Sequence, residues 1–391
     1  MAKKNNEDLV RSVVKAIQKV TKNKKANNLH EPTLSKLESK YLNNCLKTNM
    51  LSTIGPYINL FENKLKKVTK SKHVIATING TSALHIALKL IGLKKNNEVL
   101  IPSLNFIAST NATLYCGGIP HFIDVEEKTL GVDISKLNNY LKKNTKQVNS
   151  KCINKKTNRK IIAIVPTHLF GHPVNMKELI SLAKKYNLKV IEDAAEGVGS
   201  YFMKKHVGTF GNFGILSFNG NKSITTGGGG ALLTNNARLA TEARHLISVS
   251  KIKDKYDLVH DKVGFNYKMT NLHAAIGCAQ LDKIKKLLSK KRKLFKAYSK
   301  EFYKNEDFVL LKEPKNARSN YWLNTIIIKE NKKFLRDNII KLAFKKSIGI
   351  RPVWKPLPEL NFLKSYPKMD ISKTMKLFKR IINIPSSSHL I

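Results

Sequence analysis

Short apolar runs alternate with segments of helical periodicity from about residue 70 to residue 235. Apolar residues recur at helical spacing over Thr81–Ile91, Phe106–Cys116 and Met176–Tyr186, which we predict to be helices. The apolar runs predict strands at His73–Ile78, Glu98–Pro102, Pro120–Asp124, Lys160–Pro166, Lys189–Asp193, Phe213–Phe218 and Ala231–Thr234. This alternation indicates an α/β domain with a mostly parallel sheet covered by helices on both faces. Ligands bind outside the carboxyl ends of the strands in such sheets.

The pattern changes after about residue 240. A long basic segment with helical spacing runs from Leu272 to about Phe302, and a strand is predicted at Tyr321–Ile328. A helix over Lys333–Lys346 and a proline-rich segment over Arg351–Leu360 follow. These elements predict a smaller α+β domain in the C-terminal part of the chain.

Two further segments complete the predicted organisation. Apolar residues at helical spacing between Leu9 and Ile17 predict a short amphipathic helix packed on a domain surface or a subunit interface. The Lys- and Asn-rich segment Asn144–Asn158 predicts an exposed loop. We therefore divide the chain into an N-terminal helical segment (1–35), a large α/β domain (36–250) and a small α+β domain (251–391).

The composition changes this picture little. No uninterrupted apolar run approaches the roughly 20 residues that a membrane span needs, and the first residues contain no apolar signal segment. We therefore expect a cytoplasmic protein. The cysteines are far apart, without a C-x-x-C pair, at Cys45, Cys116, Cys152 and Cys278. This spacing argues against a metal site or a disulfide framework, so we expect reduced, mostly structural thiols.

The formal net charge of +44 arises from 71 Lys and Arg against 27 Asp and Glu. A nucleic-acid-binding protein is one interpretation of so basic a chain. However, the lysines are spread along the whole sequence, and Asn and Ile are also abundant. We therefore favour compositional drift of the coding sequence and expect no nucleic-acid partner.

The first candidate binding segment is Asn79–Leu84, which follows a predicted strand and opens a predicted helix. Its residues Gly80, Thr81 and Ser82 would let backbone N–H groups and hydroxyls close on a phosphate at the helix N-terminus. An ordinary helix N-cap by Thr81 or Ser82 is the alternative.

Two more segments carry candidate chemical groups. Asp193 ends an apolar strand at the edge of the sheet where ligands bind, and its carboxylate can pair with the protonated ring nitrogen of pyridoxal 5′-phosphate (PLP). Lys222 follows another strand and a short turn, and it precedes the glycines Gly227–Gly230. A desolvated lysine can form a Schiff base with an aldehyde. The alternatives are an aspartate that caps a turn and a surface lysine on a hairpin, although the glycines indicate close backbone approach.

Together these segments resemble the DegT/DnrJ/StrS-type sugar aminotransferases, a branch of the fold-type I PLP enzymes. The resemblance runs from about Leu29 to Pro385 and is closest to the legionaminic-acid-pathway aminotransferases. The segments that carry it are Leu29–Pro32, Ser52–Gly55, Asn219–Gly230 and Arg351–Leu357. It implies a large domain with a mostly parallel mixed sheet between helices, plus a smaller α+β C-terminal domain.

The resemblance also implies roles for individual residues. Lys222 would hold the cofactor as a Schiff base, and Asp193 would hold the ring nitrogen. Phe106 would stack on the ring, and Glu196 would lie near the ring hydroxyl. The cofactor's phosphate would be bound by Gly80, Thr81, Ser82 and Ser217. Asn266 would reach the phosphate of a neighbouring subunit's cofactor, so the active unit would be a homodimer with shared sites.

The chain departs from the family pattern at two positions. Many relatives have Glu where Gly228 stands, and many have Arg where Lys268 stands. Lysine lacks the planar fork of arginine, so a carboxylate or diphosphate contact is not carried over to Lys268.

The resemblance finally implies the reaction. Glutamate would donate an amino group to C4 of a nucleotide-linked 4-keto-6-deoxy sugar, with UDP-2-acetamido-4-keto-6-deoxyhexose favoured, for bacterial surface-glycan synthesis. The substrate-binding candidates are Ser52, His168, Tyr321, Arg351 and Trp354. A structural role for His168 and packing at the domain boundary for Trp354 are the alternatives. The alternative functions are a PLP-dependent sugar dehydratase, in which histidine replaces the lysine or cysteines bind a cluster, and a non-catalytic PLP-binding regulator.

Overall fold

The computed structural model describes residues 2–21, 26–252, 254, 256–303 and 305–391. The α-helices of these ranges are α1 (Ala2–Thr21), α2 (Lys36–Lys47), α3 (Pro56–Thr69), α4 (Gly80–Leu90), α5 (Ala108–Tyr115), α6 (Ile134–Asn144), α7 (Met176–Lys185), α8 (Ala237–Ile247), α9 (Asn271–Asp282), α10 (Ile284–Phe302), α11 (Arg336–Lys345) and α12 (Ser372–Phe378). The strands are β1 (His73–Thr77), β2 (Glu98–Pro102), β3 (Ile119–Ile123), β4 (Thr145–Val148), β5 (Lys151–Asn154), β6 (Lys160–Ile164), β7 (Lys189–Asp193), β8 (Tyr201–Phe202), β9 (Lys205–His206), β10 (Phe213–Ser217), β11 (Gly230–Thr234), β12 (Phe308–Leu310), β13 (Ala317–Arg318), β14 (Asn324–Ile328), β15 (Arg351–Pro352) and β16 (Ile381–Ile384). Within the described ranges, no helix combines the length and the apolar character that crossing a bilayer requires.

The central sheet has the strand order β1-β11-β10-β7-β6-β2-β3. The strands β10, β7, β6, β2 and β3 are parallel, whereas β11 is antiparallel to both β10 and β1. All seven predicted strands are present, with small differences at their ends. The prediction of a mostly parallel α/β sheet is therefore confirmed.

Alternating side chains of each strand pack against helices on opposite faces of this sheet. In β1, Ile75 packs with α4 and α8, whereas Val74 and Ala76 pack with α3 and α9. In β11, Leu232 and Leu233 divide between the same two cores. Burial on both faces explains why these strands are continuous apolar runs in the sequence. It also leaves the strand ends as the places where polar side chains can reach a ligand.

The segment Asn144–Asn158, predicted to be a loop, contains the antiparallel hairpin β4–β5, which pairs with β6. Cys152 and Asn154 of β5 are buried, and Asn154 Nδ2 donates a hydrogen bond to Glu98 Oε2 at 2.9 Å. The loop prediction was wrong because the hairpin lies at the edge of the sheet, where solvent-exposed positions can be lysine or asparagine. These polar residues hide the alternation of apolar and polar positions by which a strand is recognised.

The C-terminal part forms an antiparallel sheet in the order β12-β14-β16-β15, together with α10 and α11. The predicted N-terminal helix is present as α1, and its Val13 and Ile17 share a core with Leu294 and Tyr298 of α10. The long predicted helix is two helices, and α9 packs on α3 instead of joining this core. The division into three domains stays a prediction, but α1 and the C-terminal sheet have one core in common.

A lysine is buried where α10 meets the C-terminal strands. Lys291 is 1% exposed, and its Nζ donates hydrogen bonds to the carbonyl oxygens of Trp322 at 3.0 Å and Ser386 at 2.6 Å. Burial lowers the pKa of Lys291 to about 7. The two carbonyls neutralise no charge, so the folded protein opposes protonation of this amine.

We expect this lysine to make stability depend on pH. An unfolded lysine keeps its proton up to about pH 10.4, whereas the folded one loses it near pH 7. As pH rises from about 7 to 10, the unfolding free energy of the wild type, relative to Lys291→Met, should therefore rise by up to roughly 1.4 kcal/mol per pH unit. Below pH 7 the difference should be constant. Urea unfolding across this range measures it, with the exposed Lys286→Met as the control; a difference independent of pH would contradict the expectation.

Candidate active site

A cavity of about 230 Å³ opens at the carboxyl ends of the central strands. Asp193 is the last residue of β7, Ser217 is the last residue of β10, and α4 begins beside them at Gly80. All three residues line the cavity, and so does Lys222 from the turn that follows β10. The structure thus brings together the three segments that the sequence singled out.

The start of α4 forms one end of the cavity. The first N–H groups of a helix have no acceptor within the helix, and the helix dipole makes this end attractive to an anion. Gly80 lies close to Ser217: a Cβ added to Gly80 would lie only 3.2 Å from Ser217 Cβ. Thr81 also lines the cavity, whereas the backbone N–H of Ser82 is taken by the side chain of Asn79 at 2.7 Å. The helix begins where the sequence predicted, but its N-cap is Asn79 and neither Thr81 nor Ser82, and phosphate binding at this helix start stays a prediction.

Asp193 presents a fixed carboxylate to the same cavity. It is 5% exposed; its Oδ2 accepts a hydrogen bond from Ser109 Oγ at 2.7 Å, and its Oδ1 accepts one from the backbone N–H of Ala195 at 3.2 Å. These two donors stabilise the ionised carboxylate and set its orientation. A cationic partner inside the cavity would be bound strongly, because little water reaches this carboxylate.

Lys222 projects into the cavity between polar and aromatic groups. Its Nζ lies 3.3 Å from Glu196 Oε1 and 3.9 Å from the ring centroid of Trp322. Glu196 Oε2 accepts a hydrogen bond from the backbone N–H of Phe170 at 2.7 Å. Burial raises the pKa of Glu196, although Lys222 and the Phe170 N–H act in the opposite direction. Burial therefore opposes the charge on Glu196, whereas Lys222 and the Phe170 N–H favour it.

Aromatic side chains form the remaining wall. Phe106 is 51% exposed, and its ring lies 5.8 Å from that of Trp354. Trp354 also contacts Phe170, with ring centroids 5.6 Å apart. A flat ring bound between Lys222 and Asp193 would have Phe106 and Trp354 as apolar neighbours.

Two of the predicted substrate-binding residues are buried in the protein and do not line the cavity. His168 is fully buried, with Nε2 3.1 Å from Glu192 Oε2 and with Nδ1 accepting the backbone N–H of Val174 at 3.2 Å. Tyr321 is 1% exposed and stacks on Phe295 at a centroid distance of 3.9 Å. Both ring systems are fully occupied by packing contacts, so we correct these two assignments to structural residues.

The other predicted residues divide into two groups. Arg351 lines an adjoining chamber of about 380 Å³, which shares Asn221, Trp322 and Trp354 with the cavity. Ser52 and Asn266 are exposed and do not line the cavity of this chain. A role for these two residues, including contact of Asn266 with a second subunit, stays a prediction.

Trp322 and Ser109 contribute to the site without having been singled out from the sequence. Trp322 follows Tyr321 directly, and which member of the pair faces the cavity depends on the local backbone turn, which the pattern does not reveal. Ser109 is the second residue of α5, three residues after Phe106. Only the fold brings its hydroxyl to Asp193.

The groups in the cavity fit one cofactor. A lysine amine can bind an aldehyde, a buried carboxylate can pair with a protonated ring nitrogen, and a helix start beside Ser217 can bind a phosphate. The site residues Lys222, Asp193 and Gly80 supply these three functions around one space. PLP carries an aldehyde, a pyridine nitrogen and a phosphate on one ring.

Comparison with known proteins gives the same result. The model of the DegT/DnrJ/EryC1/StrS aminotransferase family matches residues 32–391. The chain is 36% identical to a GDP-perosamine synthase of Escherichia coli O157:H7 over 92% of each protein. It is 30% identical to a UDP-4-amino-4,6-dideoxy-N-acetyl-β-L-altrosamine transaminase of Campylobacter jejuni over 88% of each protein.

Solved structures share the fold. PseC of Helicobacter pylori, an aminotransferase involved in the biosynthesis of pseudoaminic acid, superimposes with a TM-score of 0.84. It is 24% identical and covers 93% of this chain and 94% of its own. The PLP form of the sugar aminotransferase Spr1654 of Streptococcus pneumoniae superimposes with a TM-score of 0.80 at 20% identity, over 91% of this chain and 92% of its own.

Proposed function

Because the chain belongs to the DegT/DnrJ/EryC1/StrS aminotransferase family, we propose that it transfers the amino group of glutamate to C4 of a nucleotide-linked 4-keto-6-deoxy sugar. The family makes the chain a PLP-dependent nucleotide-sugar aminotransferase. The observation that best supports the finer reaction is that Lys222, Asp193 and Glu196 line one cavity. Two parts of the proposal go beyond what membership of the family shows: that glutamate is the donor, and that C4 of the sugar accepts the amino group.

The names of the relatives support a 4-amino product. The Campylobacter jejuni relative is named for a 4-amino-4,6-dideoxy sugar linked to UDP. Three relatives at 32–36% identity are named GDP-perosamine synthases. The sequence resemblance favours a UDP-linked 2-acetamido-4-keto-6-deoxyhexose as substrate, and a GDP-linked sugar is the alternative that the relatives support.

The residues of the chain would act as follows. When bound, PLP supplies an aldehyde for the amino group and a ring that accepts electrons from the reacting carbon. Lys222 would hold the cofactor through its aldehyde and, when free, would carry the proton that the donor gives up. Asp193 would keep a proton on the ring nitrogen, with Ser109 and Ala195 orienting its carboxylate. The start of α4 and Ser217 would bind the phosphate.

The substrate and the assembly complete this proposal. Arg351 and Trp354 line the chamber that adjoins the cofactor cavity, so the sugar nucleotide would reach C4′ past them. Asn266 would complete the phosphate site of a second copy in a homodimer. A cytoplasmic location and a role in surface-glycan synthesis, both expected from the sequence, belong to the same proposal.

A panel of nucleotide 4-keto-6-deoxy sugars tests the reaction. The purified protein is loaded with PLP and given glutamate plus UDP- or GDP-linked sugars, each with either a 2-acetamido or a 2-hydroxyl group. We expect release of 2-oxoglutarate with at least one UDP- or GDP-linked sugar and a product whose new amino group is at C4. Coupled-enzyme assay of 2-oxoglutarate and NMR of the product measure the two outcomes.

The alternatives predict different products. A dehydratase would remove water from the sugar without retaining the nitrogen of glutamate, and a regulator would bind PLP without releasing 2-oxoglutarate. Either result, or amination at another carbon, would contradict the proposed reaction. Isotopic labelling of the glutamate nitrogen separates transfer to the sugar from simple hydrolysis.

A further inference from the structure

Trp322 contacts the turn that carries Lys222 in two ways. Its indole Nε1 donates a hydrogen bond to the carbonyl oxygen of Asn221 at 2.7 Å, one residue before the lysine. Its ring centroid lies 3.9 Å from Lys222 Nζ. Trp322 is 3% exposed, so water competes little with either contact. A cation over the face of a desolvated tryptophan is held more firmly than over any other side-chain ring.

Trp322 is itself fixed through its main chain. Its backbone N–H donates to Asn320 Oδ1 at 2.8 Å, and its carbonyl accepts the hydrogen bond from buried Lys291 at 3.0 Å. Asn320 Nδ2 in turn donates to the backbone carbonyl of Glu196 at 2.8 Å. Trp322 and Glu196 both contact Lys222, and Asn320 joins them into one hydrogen-bonded unit. Asn320 therefore couples the main chain of Trp322 to the loop that carries Glu196.

A lysine needs this kind of support. Its ammonium lies at the end of a flexible four-carbon stem, whereas a proton-transfer residue must stay within hydrogen-bond reach of the reacting atom. A misplacement of about 1 Å can cost about 10²-fold in rate. The covalent bond to the cofactor would fix Lys222 before the donor binds. After the donor displaces it, only non-covalent contacts can hold the amine in place.

On the premise of the proposed function, we propose that Trp322 is a positioning residue that holds the released Lys222 amine where it must move protons. The hydrogen bond to Asn221 fixes the turn in either charge state of the lysine, and the ring face holds the end of the side chain once the amine has taken up a proton. Trp322 also lines both the cofactor cavity and the adjoining chamber, so it contacts the path of the substrate as well. Its loss should therefore slow the proton-transfer step more than it weakens the binding of glutamate.

The glutamate half-reaction tests this role. Trp322→Phe removes the N–H donor and keeps an aromatic ring, whereas Trp322→Leu removes both. We expect kcat per bound cofactor to fall about 10-fold in the first variant and about 10²-fold in the second, with the KM for glutamate within about twofold of the wild type. Normalising to bound cofactor separates this effect from a purely structural loss, which would lower cofactor content and leave the rate per site unchanged. Tyr321→Phe is the matched control, because Tyr321 packs on Phe295 outside the cavity.

Fluorescence tests the contact without any turnover. The chain has 2 tryptophans, Trp322 and Trp354, so Trp354→Phe leaves Trp322 as the single emitter. An ammonium group beside an indole quenches its emission. In cofactor-free protein, we therefore expect Lys222→Met to brighten Trp322 in this background, whereas Lys293→Met on the surface of α10 should not.

The possible results separate the positioning role from the proposed function. Wild-type rates per bound cofactor in Trp322→Leu, or unchanged emission in the Lys222→Met background, would overturn the role of Trp322. A wild-type protein that releases no 2-oxoglutarate from glutamate would overturn the proposed function instead. In that case the fluorescence comparison would still decide whether Trp322 holds Lys222.

Discussion

Replacing Lys222 with alanine should reduce transamination by at least about 10³-fold, because one side chain holds the cofactor and moves the proton. General acid–base catalysis alone contributes roughly 10²- to 10⁴-fold, and the loss of the covalent attachment adds to it. Absorbance spectroscopy should show no lysine-bound cofactor in the variant, and the 2-oxoglutarate assay should give a residual rate close to background.

Lys222→Arg is the sharper form of this experiment. Arginine keeps the positive charge beside Glu196 and Trp322, but its guanidinium is not deprotonated in proteins and forms no Schiff base. The Arg variant should therefore fold as the wild type does and be as inactive as the Ala variant. Lys184→Ala, on the exposed side of α7, is the control for the loss of a lysine as such. Activity near the wild-type rate in Lys222→Arg would reject Lys222 as the residue that holds the cofactor.

The strands and the polar residues at their ends were predictable because a strand buried on both faces is a recognisable run of apolar residues in the sequence. In Lys189–Asp193 the apolar residues Val190 and Ile191 are followed by Glu192 and Asp193, and the structure ends β7 at that aspartate. The strand predicted over Phe213–Phe218 ends one residue earlier in the structure, at Ser217. In a parallel sheet, strand ends meet at one edge, so the sequence predicted which residues share a site even though they are far apart along the chain.

The errors have a common physical cause, which is that a pattern does not reveal the direction of a side chain in a loop. His168 follows β6 at a position typical of a site residue, yet its ring contacts Glu192 inside the protein. Tyr321 and Trp322 are adjacent in the chain. The backbone has a positive φ of 50° at Tyr321, and this turn directs the Tyr321 ring into the core and the Trp322 ring into the cavity. The β4–β5 hairpin was missed because its exposed strand carries polar residues.

The positions of the acidic residues show where the chain keeps negative charge despite its excess of basic residues. Glu192 accepts hydrogen bonds from the backbone N–H groups of Gly208, Phe210 and Gly211, and Asp124 accepts one from the N–H of Thr374. A lysine could not take the place of these buried carboxylates, because it cannot accept hydrogen bonds from their N–H partners. Compositional drift toward lysine, which stays a hypothesis, would be excluded from these carboxylate positions, whereas Lys291 shows that the interior also holds a lysine.

Asp193→Asn should lower turnover by roughly 10²- to 10³-fold while the cofactor remains bound. Loss of one preorganised group that stabilises charge developing in the transition state costs roughly 2.7–4 kcal/mol, and about 1.4 kcal/mol corresponds to a factor of ten in rate. Asparagine has nearly the shape of aspartate but no charge to keep a proton on the ring nitrogen. The ring then accepts electrons poorly, although Lys222 and the start of α4 still hold it. Cofactor content by absorbance and kcat for glutamate measure the two expectations separately.

A cofactor analogue methylated on the ring nitrogen makes this test specific, because its positive charge is permanent and does not depend on Asp193. In Asp193→Asn, the analogue should restore part of the lost rate, whereas in the wild type it should give no gain. Ser109→Ala is the graded control: it removes one of the two hydrogen bonds to the carboxylate but keeps the charge, so we expect a loss of only about 10-fold. If the analogue restores nothing while the cofactor is fully bound, Asp193 acts by positioning the ring and not through its charge.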